Sequence, residues 1–253
     1  MPTHLRIRLQ LRKSEPPITR VLEIPADYSA YEFHLALQVS LGWNDREPFE
    51  IVRPGLTVGI EPSYAGEGIT HEEHRYRHAD EVEARELFAT VGQTINYTYD
   101  FSRLWEFHVT LLELVERDSE LPTCTEVFEA APIEDADDLD AFYGMLIAYR
   151  DPSIHLHDLA KELLGENFDE HGPHADDVTA HLAELFGEEV EPHGTEAEDD
   201  DWGWWDPSKY DDKMRLRVKQ EEIQQELPRG LRQLDAGAKH AELLRVLRGG
   251  RGV

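Results

Sequence analysis

Apolar and polar residues alternate strictly over residues 5–12, which is the period of a half-buried β-strand. After a pair of prolines, residues 18–24 predict a second strand, antiparallel to the first because the connection is short. Ser29 and Glu32 have the spacing of a capping box, so a helix is predicted to begin there. Its apolar stripe ends at Gly42, a residue suited to terminating a helix.

Further strands and helices follow in separate parts of the chain. Weak strand patterns occupy 49–52 and 57–60, and a stronger pair, rich in β-branched and aromatic residues, occupies 94–101 and 106–114. The intervening residues 61–82 are polar and histidine-rich, which favours a loop. Helical spacing of apolar residues then recurs at 135–150, 154–164 and 174–186.

This order predicts an α+β fold, a roll of mostly antiparallel strands packed with helices. We expect one domain over residues 1–187, strand-rich over 1–121 and helical over 122–187. Residues 188–207 read as an acidic, Trp-containing linker, and residues 208–253 as a basic tail. Two amphipathic helices in that tail would form a helical C-terminal extension.

Charge divides the chain in the same way. The 253 residues contain 25 Lys plus Arg and 53 Asp plus Glu, a formal net charge of −28. Residues 208–253 hold eleven cations and seven anions, so the tail is +4 and residues 1–207 are −32. The body should therefore repel nucleic acid and anionic membranes, and no apolar run approaches the roughly 18 residues of a membrane span. We expect a cytoplasmic protein.

The excess of acid, with only six lysines among the cations, is typical of proteins from salt-accumulating halophiles. An acidic mesophilic protein is the alternative. A melting temperature that does not change between low salt and molar KCl would contradict the halophilic interpretation.

The densest set of metal-ligand side chains is His71, His74 and His78 with Glu72 and Glu73. Spacings of three and four would place the imidazoles on one helix face, where they could share a divalent metal. The order is not that of a zinc protease, because Arg75 stands where the second histidine would be. An exposed polar loop is the competing interpretation, and a divalent metal is the one cofactor that the sequence suggests.

A second candidate site surrounds the turn between the two strongest strands. A binding pocket there would use Asp100 and Glu106 as polar anchors and Trp105 as a stacking wall. Alternatively, Asp100 shapes the turn and Trp105 fills the core. The candidate binding residues are Tyr99, Asp100, Arg103, Trp105 and Glu106.

The C-terminal segments offer two interaction surfaces. Trp202, Trp204 and Trp205 lie among aspartates and would either dock on the roll or anchor a protein partner. The cations of 208–253 could contact nucleic acid, or could pair with the acidic body of the protein itself. The single cysteine, Cys124, excludes a disulfide scaffold, and with no histidine beside it a buried inert thiol is expected.

Residues 4–187 resemble the plasmid Ri ORF-three-like family, also labelled as insertion-element passenger TnpR proteins. The resemblance is carried, in order, by Pro16-Pro17-Ile18-Thr19-Arg20, Ile24-Pro25-Ala26-Asp27, Leu41-Gly42-Trp43, Tyr97-Thr98-Tyr99-Asp100-Phe101, Trp105-Glu106 and Ala131-Pro132-Ile133-Glu134-Asp135. It implies an α+β roll in which strands distant in sequence pair, with helices against one side. The label describes the plasmids and insertion elements that carry these genes, and it implies no resolvase chemistry.

The sequence departs from the usual pattern of this family at several positions, so the resemblance indicates a divergent member. The family usually places a His-Leu-His-x-Phe strand after Gly-Trp, whereas residues 42–49 here contain no histidine. Phe107 stands where the family usually has a histidine, and Ala131 and Ala136 stand where it often has cysteines. A polar site built from those groups would mostly be lost.

We therefore expect a mobile-element-type accessory or interaction protein without catalytic activity. One alternative is a metal-dependent hydrolase or nuclease-like enzyme that uses His71, His74 and His78 with nearby carboxylates. The other is a DNA-binding accessory protein that acts through residues 208–253.

Overall fold

The structure is a computed structural model that describes residues 1–59, 75–187, 219–221, 223, 225 and 227. The described residues form two compact units. The first contains residues 1–12, 19–128 and 173–187, and the second contains residues 13–18, 129–172 and those described after 218. No helix in these described parts is long and apolar enough to cross a membrane.

Eight strands are found in the described residues, and all belong to one sheet in the first unit. They are β1 (Thr3–Leu11), β2 (Thr19–Pro25), β3 (Phe49–Arg53), β4 (Leu56–Gly59), β5 (Arg75–His78), β6 (Thr94–Tyr99), β7 (Trp105–Glu116) and β8 (Thr123–Phe128). Their order across the sheet is β5-β4-β3-β6-β7-β1-β2-β8. Only β4 and β5 run parallel, so the sheet is almost wholly antiparallel.

The α-helices are α1 (Ala30–Leu41), α2 (Leu139–Arg150), α3 (His157–Leu164) and α4 (Ala175–Gly187). In α1 the predicted capping box is confirmed, because Ser29 Oγ accepts from Glu32 N at 3.1 Å and Glu32 Oε2 accepts from Ser29 N at 2.7 Å. The predicted stop is confirmed as well: Gly42 has φ 76°, a left-handed conformation that glycine adopts without steric cost.

Strand β1 lies inside the sheet, between β2 and β7. Leu5, Ile7 and Leu9 are buried, as the alternation predicted, and their neighbours in sequence lie on the other face. A bulge interrupts the pairing with β7: Arg6 is opposite Glu113 and Ile7 is opposite Leu111, so Leu112 is an extra residue.

Strand β8 forms one edge of the sheet, and α4 packs against it. The Thr179 hydroxyl accepts from Cys124 N at 3.0 Å and donates to Cys124 O at 3.1 Å. One side chain of the helix thus satisfies both outward backbone groups of that edge residue, which blocks further strand pairing there.

In the second unit, α2 begins at Asp138, whose carboxylate accepts from Ala141 N at 2.8 Å. Residues 219–221, 223 and 225 are helical. Gln220 donates to Asp135 O at 3.0 Å and accepts from Asp137 N at 2.9 Å, and Lys219 forms an ion pair with Glu162 at 3.0 Å. These described residues of the C-terminal segment are therefore bonded to their own unit.

The α+β prediction is confirmed, and two local predictions need correction. Within 61–82, where a loop was expected, residues 75–78 form β5 and Ala79–Glu81 forms a 3-10 helix. After Pro122, where helices were expected to begin, β8 comes first. Both strands lie at the sheet edges, where few of their side chains are buried: only Cys124 in β8, and none of residues 76–78 in β5. Their hydrophobic period is therefore too weak to identify them.

Candidate functional site

Three polar or amphipathic side chains project from the buried side of α1. Tyr31, His34 and Gln38 are spaced three and four residues apart, which places them one above another on the helix. All three are buried, and His34 is 0% exposed. With Asp45 and Tyr97 they form a set of hydrogen-bonded groups that we call the helix cluster.

The imidazole of His34 is the centre of this cluster. Its Nε2 lies 2.7 Å from Asp45 Oδ1 and its Nδ1 lies 2.8 Å from the Tyr97 hydroxyl. That hydroxyl also accepts from Gln38 Nε2 at 2.7 Å. The contacts are satisfied when Tyr97 donates to Nδ1 and the ring donates from Nε2 to Asp45, and also when the ring donates from both nitrogens.

The loop after α1 brings Asp45 back over the helix. Asp45 has φ 51°, a left-handed conformation that aspartate tolerates better than most residues, and its backbone N–H donates to Gln38 Oε1 at 3.3 Å. Its Oδ2 accepts from the Tyr31 hydroxyl at 3.0 Å. Burial, and then the Asp45 charge, raises the pKa of Tyr31 far above its usual value. The phenol therefore stays a hydrogen-bond donor at every ordinary pH.

Aromatic rings close the cluster on its other sides. Phe49 stacks on His34, with ring centroids 3.7 Å apart and planes 4° from parallel. The Tyr99 hydroxyl accepts from Arg46 N at 2.8 Å and from Glu47 N at 3.1 Å, which fastens the loop to β6. Trp43 packs on Tyr99 with a centroid separation of 5.3 Å. The imidazole is thus held between an aromatic face and two hydrogen bonds.

A second polar group, the turn cluster, lies in the β6–β7 hairpin and consists of the buried Asp100 with Ser102 and Arg103. Asp100 is 1% exposed and has φ 53°. Its Oδ1 accepts from the backbone N–H and the hydroxyl of Ser102 at 2.9 and 2.5 Å, and its Oδ2 accepts from Arg103 Nη1 at 2.7 Å. The carboxylate therefore holds the turn that joins the two strands.

The five binding residues predicted around this hairpin lie on two faces of the sheet. Tyr99 and Trp105 are opposite each other in the strand register and face the core, beside the turn cluster. The Trp105 indole N–H is buried and has no hydrogen-bond partner among the described residues. Glu106 lies on the other face, where it accepts from Arg12 at 2.6 Å.

The histidines proposed as metal ligands are only partly covered by the structure, since His71 and His74 lie outside the described residues. His78 ends β5, and its Nδ1 accepts from Asp80 N at 3.4 Å at the start of the following 3-10 helix. Within the described part of the chain, no three His, Cys, Asp or Glu side chains are arranged to hold a metal ion. Trp202, Trp204 and Trp205 also lie outside it.

Cys124 is a buried residue of β8, close to the guanidinium of Arg20. Burial raises the pKa of the thiol to about 11, although the Arg20 charge opposes that shift. Arg20 is itself 1% exposed and donates to Ser40 O at 2.7 Å and to Thr19 O at 2.8 Å, and burial lowers its pKa to about 10. The thiol is thus protonated at neutral pH, and its thiolate is the reactive species.

Sequence reasoning missed the whole helix cluster. None of its members was among the predicted site residues: Tyr31, His34, Gln38, Asp45 and Tyr97. The available signal was two polar residues, His34 and Gln38, four positions apart beside the apolar stripe of a helix. Their partners come from a loop and a strand up to 63 residues away, so the sequence did not identify them.

Comparison with known proteins identifies the family of this chain and a solved structure with a similar fold. The family model described as plasmid pRiA4b ORF-3-like protein matches residues 3–176. A crystal structure of a protein of unknown function from Methanosarcina mazei Go1 matches with a TM-score of 0.61 and 21% sequence identity, over 70% of this chain and 98% of that one. That likeness concerns the fold alone. No protein of curated function matches the sequence.

Proposed function

We propose that this chain, which belongs to the plasmid pRiA4b ORF-3-like family, is a mobile-element-type accessory or interaction protein without catalytic activity of its own. The observation that carries the proposal is the environment of His34, which is 0% exposed and has the Asp45 carboxylate beside it. A general base needs a nitrogen within hydrogen-bond reach of the substrate proton. Asp45 and Tyr97 already engage the two ring nitrogens, so the imidazole acts as a structural link.

Two other reactive groups support the same function. The Asp100 carboxylate accepts hydrogen bonds from Ser102 and Arg103 inside the turn cluster, which leaves it poorly placed to act on a ligand. The raised pKa of Cys124 keeps its thiol protonated near neutral pH, so it is a weak nucleophile. The carboxylate is engaged within the turn and the thiol is protonated, so neither group is prepared for catalysis.

Metal analysis of untagged, full-length protein separates this function from a metal-dependent hydrolase. We expect substoichiometric zinc, manganese and nickel after purification without chelator. The matched control replaces His71, His74 and His78 together by alanine, which should leave the metal content unchanged. Stoichiometric metal that is lost in the triple variant would instead favour the hydrolase or nuclease-like function.

Nucleic acid is a second candidate for the partner of this protein. Residues 208–253 have a net charge of +4, whereas residues 1–207 have a net charge of −32, so only the tail could attract phosphates. The Lys219–Glu162 ion pair favours pairing of tail cations with the protein's own acidic groups. Full-length protein should therefore fail to retain duplex DNA at physiological salt. Retention that weakens steeply with added salt, and that disappears when Arg245, Arg248 and Arg251 are replaced by Glu, would support the DNA-binding alternative.

A further inference from the structure

Strand β7 is longer than the strand beside it. β6 begins at Thr94, opposite Thr110, and the last backbone bonds on that side join Leu111 to Gln93 at 3.0 Å and to Gly92 at 2.7 Å. Beyond that point β7 continues to Glu116 with β1 as its partner on the other side. Residues 112–116 therefore form a strand edge inside the sheet, with no described strand beside them.

The hydrogen bonds between β7 and β1 show which backbone groups of residues 113–117 point away from β1. Arg117 N donates to Pro2 O at 3.1 Å, so the backbone groups of Arg117 point toward β1. Direction alternates along an antiparallel strand, so Val115 and Glu113 also point toward β1. Leu114 and Glu116 point the other way, toward the open side. Each presents one N–H and one C=O there, and the Leu114 side chain is 53% exposed.

We propose that two copies of this chain associate by antiparallel pairing of residues 113–117 of β7 and its extension, about a two-fold axis at Val115. In this register Leu114 of one copy is opposite Glu116 of the other, and all four outward backbone groups of each copy are paired. Shifting the centre to Leu114 would set Glu116 against Leu112, whose backbone points toward β1 in the bulge. Only the centre at Val115 satisfies both outward residues.

Charge favours the same register. It sets Glu113 of each copy, which pairs with Arg6 at 3.3 Å in its own chain, opposite the partner's Arg117, which pairs with Glu23 in its own chain. Opposite charges therefore face each other twice across the axis, where they can join these pairs. At the axis Val115 meets its own copy, an apolar contact between β-branched side chains. The net charge of −28 on each copy opposes association at low ionic strength, so the dimer is stronger in molar KCl, where that repulsion is screened.

The occupant of the edge is thus a second copy, and this inference does not depend on the proposed function. A β-strand edge pairs through its backbone, and an isologous contact requires the surface to be complementary to itself. Residues 113–117 meet that condition in both hydrogen bonding and charge. The bends that follow Arg117 end the pairing before it reaches the turn at Gly92.

Sedimentation of untagged, full-length protein over a range of concentrations, in low salt and in molar KCl, tests the association. We expect a monomer–dimer equilibrium that shifts toward dimer in KCl. Leu114→Pro removes an outward N–H that no hydrogen bond among the described residues uses, and should weaken the dimer about tenfold or more. A protein that stays monomeric in both salts at the highest concentration would overturn the proposal.

Charge placed at position 114 tests the register, because this residue is opposite the partner's Glu116. Leu114→Glu should weaken the dimer and Leu114→Lys should strengthen it. The matched controls are Leu104→Glu and Leu104→Lys, at a 60% exposed leucine in the β6–β7 turn, where only the net charge changes. Equal effects at the two positions would contradict the proposal, as would an undiminished dimer in both Leu114→Pro and Leu114→Glu.

Oxidative cross-linking tests the axis directly. Opposed residues that are not hydrogen-bonded have Cα atoms about 4.5 Å apart, within the range of a disulfide, so Val115→Cys should give a covalent dimer. The two copies of Glu113→Cys would be separated by four residues along the strands, about 13 Å, and should not cross-link. The wild-type chain, whose only cysteine is the buried Cys124, is the blank. Efficient cross-linking at 113 with none at 115 would show that the axis is wrong.

Discussion

The helix cluster and the turn cluster are each built around a buried polar side chain, but their bonds span very different distances along the chain. In the turn cluster Asp100 is bonded to residues two and three positions away. In the helix cluster His34 is bonded to Asp45, eleven positions away, and to Tyr97, 63 positions away. One cluster fixes a hairpin locally, whereas the other joins a helix, a loop and a strand.

This difference separates local from global stability. A turn can form its side-chain bonds as soon as the hairpin closes, so losing them should loosen one connection. A bond between α1 and β6 exists only when the helix is packed on the sheet, so losing it should affect the whole first unit. The variants below test this contrast in order of expected effect.

His34→Ala should be the most destabilising of these changes. It leaves a cavity under Phe49 and deprives both Asp45 and Tyr97 of a buried partner. We expect the free energy of unfolding to fall by about 3 to 5 kcal/mol. Urea unfolding, followed by tryptophan fluorescence at one fixed KCl concentration, measures the loss.

His108→Ala is the matched control, since His108 is an exposed histidine on the outer face of β7. Its loss should stay within about 0.5 kcal/mol. Comparable losses in the two variants would mean that the helix cluster does not hold the first unit together.

Asp100→Ala should come next, with a loss of about 2 to 4 kcal/mol, because Arg103 would keep a buried charge without this carboxylate. Asp100→Asn should lose less, about 1 to 2 kcal/mol. The amide retains one acceptor oxygen, and asparagine tolerates the left-handed conformation. Chemical denaturation of both variants gives the comparison. If the two lost equal stability, the acceptor oxygen that asparagine keeps would contribute nothing, and the carboxylate charge alone would account for the loss.

The same contrast explains what the sequence could predict. The capping box of α1, the alternation of β1 and the turn role considered for Asp100 depend on residues within four positions of one another, and their patterns were visible. His34 and Gln38 lie on a helix whose period was recognised. Their partners depend on the pairing of β3 with β6 and on the path of the loop to Phe49, which no local pattern encodes. Tyr99 was predicted as a binding residue, but its hydroxyl bonds to the loop could be found only from the fold.

Two tyrosines on one face of β6, Tyr97 and Tyr99, separate the contact with the helix from the contact with the loop. Tyr97→Phe removes the hydroxyl shared by His34 and Gln38, and should cost about 1 to 2 kcal/mol of unfolding free energy. Tyr99→Phe removes the acceptor of two loop amides. Hydrogen exchange should show faster opening at Arg46 and Glu47 in the Tyr99 variant, and faster exchange across α1 in the Tyr97 variant. Identical exchange patterns would contradict the division between a helix contact and a loop contact.

Glu106→Gln should have the smallest effect. Its partner Arg12 lies 2.6 Å away, but the two side chains are 39% and 37% exposed, so water and salt screen the pair. We expect a change in unfolding free energy below about 0.5 kcal/mol, and a smaller one still in molar KCl. Arg12→Gln should match it, and the double variant should be additive if the pair contributes nothing beyond its exposed charges. A loss at Glu106 as large as that at Asp100 would mean that the outer face of this hairpin carries a constrained polar site after all, as the binding pocket predicted from the sequence requires.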